Sequence, residues 1–215
     1  MTDVSEIDNQ KPGYRSLNQK PQLCLPEGIQ ILTDRRGQRY DLESLAYDLG
    51  VYIDKRDSPM FMKPLSERGL PHKDPRIGLL YKNFKDEKFL NLLKEKLGLE
   101  AKAYGINEFG DWSDQNYFKS VKNVSQFISN NIKQGYDILM NFWWGPFRGT
   151  KDGHYVLIAA FDNKTKHVYV CDPSPNNQSF WKEELYLFVR AMQPIWEEPD
   201  GNKRERGFVV FGPPF

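Results

Sequence analysis

The chain has 215 residues, which is long enough for one domain with a hydrophobic core. Its 30 basic and 29 acidic residues leave a formal charge of +1, so there is no electrostatic basis for binding nucleic acid or a membrane surface. Two cysteines and three histidines are too few and too scattered for a disulfide framework or a zinc site, and no metal or organic cofactor is expected.

The N-terminal segment 1–20 is polar and contains Pro12 and Gly13. We expect it to be an extended arm ahead of a single domain that covers 21–215. It has no apolar stretch of the kind found in signal peptides, and no apolar run in the chain is long enough to cross a bilayer. The sequence therefore predicts a cytoplasmic protein.

The first helix is predicted to begin at or just after Cys24. Pro26 suits a first helical turn because its missing N–H costs no hydrogen bond there, and the helix dipole favours Glu27 in the same turn. A thiol at a helix N-terminus is favoured as a thiolate by that dipole and by the free N–H groups. Cys24 is therefore a candidate nucleophile.

Three further helices are predicted by apolar residues at helical spacing, at 41–51, 86–97 and 121–132. The segment 54–82 contains four prolines and many charges, which predicts a long irregular excursion. A polar and aromatic loop is expected at 107–117. Strands are predicted at 101–106 and 136–143.

A β-hairpin is predicted between Asp152 and Pro175. Two apolar, β-branched runs at 155–161 and 167–171 flank a polar turn. His154 stands at the start of the first strand and Asp172 at the end of the second, so we expect them to lie side by side. A carboxylate beside an imidazole holds a general base in one tautomer and orientation. Alternatively, His154 is only a strand-edge residue and Asp172 only a turn former.

The C-terminal part completes an α+β pattern. An amphipathic helix is predicted at 180–192 and a last strand at 207–211. Trp143, Trp144 and Phe147 are expected to be mostly core, with one of them either covering the floor of the cleft or shielding the His–Asp pair. Because helices come first and strands mostly after, a helical lobe should pack against an antiparallel sheet.

Three residues from distant segments supply the roles that nucleophilic catalysis needs. Cys24 is the nucleophile, His154 the base that activates it, and Asp172 the group that orients the base. Their positions place a cleft between the N-terminal helix and the C-terminal sheet. Cys171 neighbours Asp172 on a strand and must point to the opposite face, so we expect it to be buried and inert.

These segments resemble papain-fold cysteine peptidases, and more closely the bacteriocin-processing (double-glycine) peptidase-like branch. In that family a Cys-x-Pro segment opens the catalytic helix, a Gly-His begins a strand, and an Asp-Pro-Ser follows the next strand. The resemblance implies a papain-like fold and a cysteine peptidase that forms an acyl-enzyme on a peptide or protein substrate. It is carried by CLPEGIQIL at 24–32, GHYVLIAAFD at 153–162, VYVCDPSP at 168–175 and FWKEEL at 180–185.

The resemblance also implies an oxyanion-hole glutamine upstream of the nucleophile. We favour Gln19, whose amide lies five residues before Cys24 and could loop back over the thiolate to act with the Cys24 backbone N–H. The other candidates are Gln22, Asn18, Gln10 and Glu6.

Two other functions remain open. The same site could carry out transpeptidation or another acyl transfer, because one fold hosts many reactions. The chain could also be a catalytically inactive binding module with a papain-like shell. The undecided glutamine supports that alternative, and so does Glu27, which stands where the family more usually has a small residue and which opposes thiolate formation.

Overall fold

The computed structural model describes residues 14, 23–51, 81–149, 153–174, 177–193 and 205–212. Within these ranges the helices are α1 (Cys24–Arg35), α2 (Leu42–Asp48), α3 (Glu87–Leu97), α4 (Tyr117–Lys133), α5 (Gly145–Arg148) and α6 (Leu185–Met192). The strands are β1 (Ala101–Gly105), β2 (Asp137–Trp143), β3 (Gly153–Asp162), β4 (His167–Cys171), β5 (Phe180–Glu184) and β6 (Gly207–Phe211). Two short 3-10 helices cover Tyr81–Lys85 and Ile106–Phe109.

The strands form one antiparallel sheet in the order β1-β6-β2-β3-β4-β5. The predicted hairpin is present as β3 and β4, with Asp162 opposite His167 and Leu157 opposite Cys171. Asp162 organises the turn, because its Oδ1 accepts a hydrogen bond of 2.8 Å from the backbone N–H of Lys164. The predicted α+β, papain-like class is confirmed.

Helices cover both faces of the sheet. The core on one face joins α1, α2 and α3 to side chains such as Leu139 and Leu157, and the core on the other joins α4 and α6 to Phe142 and Val156. Every residue of β2 is buried, because a strand with helices on both sides has no solvent face. Helix α1 packs closely on β2: a side-chain carbon added to Gly28 would lie 2.8 Å from Leu139 Cδ1.

Helix ends follow the signals in the sequence. The N-cap carboxylate of Asp86 accepts a hydrogen bond of 2.9 Å from the Lys88 N–H, and Gly98 ends α3 in the left-handed conformation at φ 63°. Asp41 caps α2 in the same way through Ser44. None of the helices in the described ranges is long and apolar enough to span a bilayer.

The prediction of one helix over 180–192 is wrong for its first five residues. Phe180–Glu184 is the edge strand β5, paired with β4, and only Leu185–Met192 is helical. Exposure alternates along β5 with the period of two that a strand requires, and Trp181 faces inward. The helical periodicity of the following residues concealed this change of period.

Other boundaries differ by less. Helix α4 begins at Tyr117, inside the predicted loop, and that loop opens with the 3-10 helix Ile106–Phe109. The sequence analysis does not predict the short helix α5, which begins at the Gly145-Pro146 pair itself. Most of the predicted arm 1–20 and of the irregular excursion 54–82 lies outside the described residues.

A buried ionic cluster fixes the C-terminal end of α1 to the sheet. Asp137, fully buried at the start of β2, accepts hydrogen bonds from Tyr14 Oη at 2.6 Å, Arg35 Nη1 at 2.6 Å and Arg36 Nη2 at 2.9 Å. Arg36 also donates to the carbonyl of Gly212, just after β6. The cluster therefore joins a residue of the N-terminal segment, α1 and two central strands.

We predict that Asp137→Ala lowers the free energy of unfolding by about 3–5 kcal/mol, because it leaves buried guanidinium groups without their carboxylate. Urea unfolding of the purified variant measures this loss. The matched control is Asp34→Ala, which removes an ion pair with Arg39, a side chain that is 81% exposed. That control should cost less than about 1 kcal/mol, and equal losses in the two variants would contradict a structural role for the cluster.

Candidate active site

Cys24 is the first residue of α1, and its side chain is partly exposed. The first backbone hydrogen bond of the helix runs from the Glu27 N–H to the Leu23 carbonyl at 2.8 Å. No side chain caps this end of the helix among the described residues. Amide groups at an uncapped helix start are available to stabilise negative charge, which is the environment predicted for the thiol.

His154 lies near the start of β3, opposite Phe142 of β2, and only 4% of its surface is exposed. Its Nε2 is 2.7 Å from Oδ1 of Asp172. The Cys24 side chain is near enough to the ring to help raise the pKa of His154. Because Asp172 occupies Nε2, Nδ1 is the nitrogen that remains for the thiol. The fold thus brings together Cys24, His154 and Asp172.

Asp172 is held by four donors. Its Oδ1 receives His154 Nε2 and the backbone N–H of Ser174 at 2.8 Å. Its Oδ2 receives Asn177 Nδ2 at 2.7 Å and Trp181 Nε1 at 2.8 Å. The carboxylate is fully buried, so these bonds replace the water that an ionised acid would otherwise need.

The charges of this pair support each other. Burial alone would lower the pKa of His154, but the hydrogen bonds and charges of Asp172 and Cys24 raise it to about 9. Burial alone would raise the pKa of Asp172, but its hydrogen bonds and the His154 charge hold it below the ordinary value. Both shifts favour a protonated imidazole beside an ionised carboxylate at neutral pH.

An aromatic wall covers the His–Asp pair. The Trp144 ring stacks on the His154 ring with centroids 5.2 Å apart and planes 25° apart, and Phe142 meets the His154 ring edge-on at 5.9 Å. Trp181 lies 5.8 Å from Trp144 and continues the wall. Such packing restricts rotation of the ring and keeps water from the ion pair. Of the three aromatic residues expected near the pair, Trp144 is the one that shields it.

The sequence did not reveal the residues that hold Asp172. The sequence pattern predicts a helix at Trp181, where the structure has a strand, and this prediction does not indicate which acceptor the indole N–H would bond to. Asn177 and the Ser174 backbone lie in an irregular connection, where no periodic signal indicates direction. The spacing of a tryptophan nine residues after the aspartate is the one sequence feature that could have prompted a search.

Cys171 is buried on the opposite face of β4 from the site, in the core beneath α1. Burial, followed by the charges of Asp172 and Glu27, raises the pKa of its thiol to about 12. Glu27 is itself fully buried, and neither carboxyl oxygen has a hydrogen-bond partner among the described residues. Burial raises the pKa of Glu27 to about 7.

The oxyanion-hole prediction falls on residues outside the described ranges. Gln19 lies there, as do the alternatives Gln22, Asn18, Gln10 and Glu6. The described residues contain no group of three or more histidine, cysteine or acidic side chains arranged to hold a metal ion.

The family model described as Peptidase_C39 like family matches residues 12–199, which is most of the chain. The matched segment includes Cys24, His154 and Asp172. It confirms the resemblance to papain-fold peptidases of the bacteriocin-processing branch. Comparison with curated proteins returns no match.

We predict that Asp172→Asn destabilises the protein through Trp181. The Asn oxygen must stay with His154 and the Ser174 N–H, so its amide group faces the Trp181 N–H, which can only donate. Asn177 can avoid a similar conflict, because its amide can rotate so that Oδ1, which has no partner among the described residues, accepts a hydrogen bond from the new amide group at position 172. The loss should be about 1–3 kcal/mol.

A double-mutant cycle with Trp181→Phe, followed by urea unfolding, isolates this conflict. The double variant should lose at least about 0.5 kcal/mol less than the sum of the single variants. Trp112→Phe, which removes a remote indole hydrogen bond to the Ile106 carbonyl, is the matched control and should add to Asp172→Asn without coupling. Additivity in both cycles would show that Trp181 does not hold Asp172.

Proposed function

The chain belongs to the Peptidase_C39 like family, and we propose that it is a cysteine peptidase that cleaves a peptide or amide bond through an acyl-enzyme on Cys24. The family implies a peptide or protein substrate. The observation that carries the proposal is that one buried imidazole is hydrogen-bonded to Asp172 and lies close enough to Cys24 for that side chain to raise its pKa. No organic cofactor or metal takes part in the proposed reaction.

In the first half-reaction the Cys24 sulfur attacks the carbonyl carbon of the scissile bond. The protonated His154 beside it favours the thiolate form of the nucleophile. A tetrahedral intermediate forms, and His154 then gives its proton to the leaving nitrogen as the C–N bond breaks. The amine leaves, and the acyl group remains on Cys24 as a thioester.

In the second half-reaction water attacks the thioester. His154, now neutral, takes a proton from the water, and the C–S bond breaks to release the carboxylic acid. The proton returns the site to its starting charge. Asp172 orients the ring throughout and stabilises it when it is positive, and the aromatic wall keeps that orientation fixed.

The negative charge on the substrate oxygen needs donors. We assign this role to the backbone N–H of Cys24, at the uncapped start of α1, together with the side-chain amide of Gln19. The position of Cys24 in the helix supports the first donor. The second rests on the sequence resemblance alone.

We predict that iodoacetamide labels Cys24 and spares Cys171 in the folded protein, since burial and nearby negative charge disfavour the Cys171 thiolate. Mass spectrometry of proteolytic fragments locates the adduct. Cys24→Ala should abolish both labelling and cleavage of a peptide library, whereas Cys171→Ala should retain both. Preferential labelling of Cys171 would overturn the assignment of the nucleophile.

The same library separates the alternative functions. A product in which an added amine has replaced water at the cleaved carbonyl would identify the transpeptidase or acyltransferase. A reactive Cys24 with no turnover of any peptide would favour the inactive binding module.

A further inference from the structure

The carboxyl group of Glu27 is buried close to the nucleophile, and no hydrogen bond from the described residues replaces the water that it loses. It lies three residues after Cys24 in the first turn of α1, none of its surface is exposed, and both carboxyl oxygens lack a hydrogen-bond partner among the described residues. Residues three apart in a helix are neighbours on one face, so Glu27 and Cys24 share the same turn. A buried carboxyl in such a position is stable when neutral and costly when ionised.

No titratable side chain in the described residues bonds to the Glu27 carboxyl. The Glu27 charge acts on the Cys171 thiol. The other titratable side chains of the described core beneath α1 are the tyrosines in it or packed against it and the buried Glu43 of α2, namely Tyr14, Tyr40, Tyr47, Tyr81, Tyr155 and Glu43. Among the described residues, the ionisable groups of the site, Cys24, His154 and Asp172, belong to the same region, since Cys24 opens the helix that carries Glu27. Burial is the cause of the raised Glu27 pKa, and no charge in the described part of the chain, the His154 imidazolium included, contributes to that shift.

Helix α1 is packed tightly on the sheet at the residue that follows Glu27. The next residue, Gly28, meets Leu139 of β2 so closely that an added side-chain carbon would lie 2.8 Å away. At the other end, Arg35 and Arg36 tie the helix to Asp137. An ionised Glu27 can therefore reach water only if the first turn, which carries Cys24, loosens from the sheet.

We propose that Glu27 is a proton-operated switch for the site, which keeps Cys24 aligned with His154 when the carboxyl is protonated and displaces it when the carboxyl ionises. This inference rests on the function proposed above and adds its regulation. The enzyme is active on the acidic side of neutrality and is turned off as the pH rises.

The direction of the pH dependence follows from the difference between the pKa of Glu27 in the folded protein and in the unfolded chain. Burial raises the pKa of Glu27 from 4.5 to about 7, so the folded protein keeps a proton that the unfolded chain releases. The stabilisation is complete below pH 4.5 and is lost as the pH rises through 7. His154 loses its proton only near pH 9, so the two groups produce separate falls in activity.

The test compares the wild type with Glu27→Gln, because glutamine has the shape of the protonated acid and cannot ionise. The rate of alkylation of Cys24 by iodoacetamide and the kcat/KM on a cleaved peptide are measured from pH 5 to pH 9.5. Both should match at pH 5. At pH 8 the variant should exceed the wild type by about threefold to tenfold, since one pKa unit corresponds to a factor of ten.

The matched control is Glu43→Gln, which changes a buried glutamate of α2 rather than one of the helix that carries Cys24. Its pH profile should follow the wild type. If Glu27→Gln does not fold, Glu27→Met replaces the carboxyl by an apolar group of similar length, and the same profile is expected. Superimposable profiles of the wild type and the folded Glu27 variant would overturn the switch.

Alkylation keeps this test separate from the peptidase proposal. It reports the state of Cys24 whether or not a peptide is cleaved. If no peptide is turned over but alkylation shows the Glu27-dependent fall near pH 7, the switch stands and the peptidase proposal fails. If cleavage occurs with no Glu27-dependent fall, the peptidase proposal stands and the switch fails.

Discussion

The hydrogen bond between the buried Asp172 carboxylate and His154 is the constraint on which the site depends. A carboxylate with no exposed surface needs a full set of donors, and the chain supplies four of them from three separate places. Satisfying that charge fixes the end of β4, the connection to β5 and the inward face of β5. The ring orientation of His154, and with it the position offered to Cys24, follows from the same bonds.

Helix α1 carries the nucleophile and is held differently at its two ends. The Asp137 cluster fixes its C-terminal end to the centre of the sheet with hydrogen bonds to a buried carboxylate, two from guanidinium groups and one from the Tyr14 hydroxyl. Its N-terminal end lies on an apolar core that also contains an unbonded carboxyl, that of Glu27. The C-terminal end of the helix is therefore held firmly, whereas packing of the N-terminal end, which carries Cys24, depends on whether Glu27 is protonated. This difference suits a site whose alignment responds to protonation.

Much of the fold could be predicted because local signals agreed with tertiary packing. The helix starting at Cys24 and the 153–171 hairpin combine periodicity with turn chemistry, and both are present. Strand β5 could not be predicted, because its alternation covers only five residues and runs directly into an amphipathic helix. The hydrogen-bond donors to Asp172 could not be predicted either. Their positions depend on the path of an irregular connection, and the periodicity of the sequence carries no information about that path.

The most direct test of the account is the titration of His154 by NMR. The chain has only three histidines, so substitution at each one assigns the signals. In the wild type the His154 ring should titrate near pH 9, because Asp172 and Cys24 outweigh the effect of burial. In Asp172→Ala its midpoint should fall toward or below the ordinary value of 6.5, since burial persists without the carboxylate. A wild-type midpoint near 6.5, or one near 9 that survives the loss of Asp172, would contradict the central role of this pair.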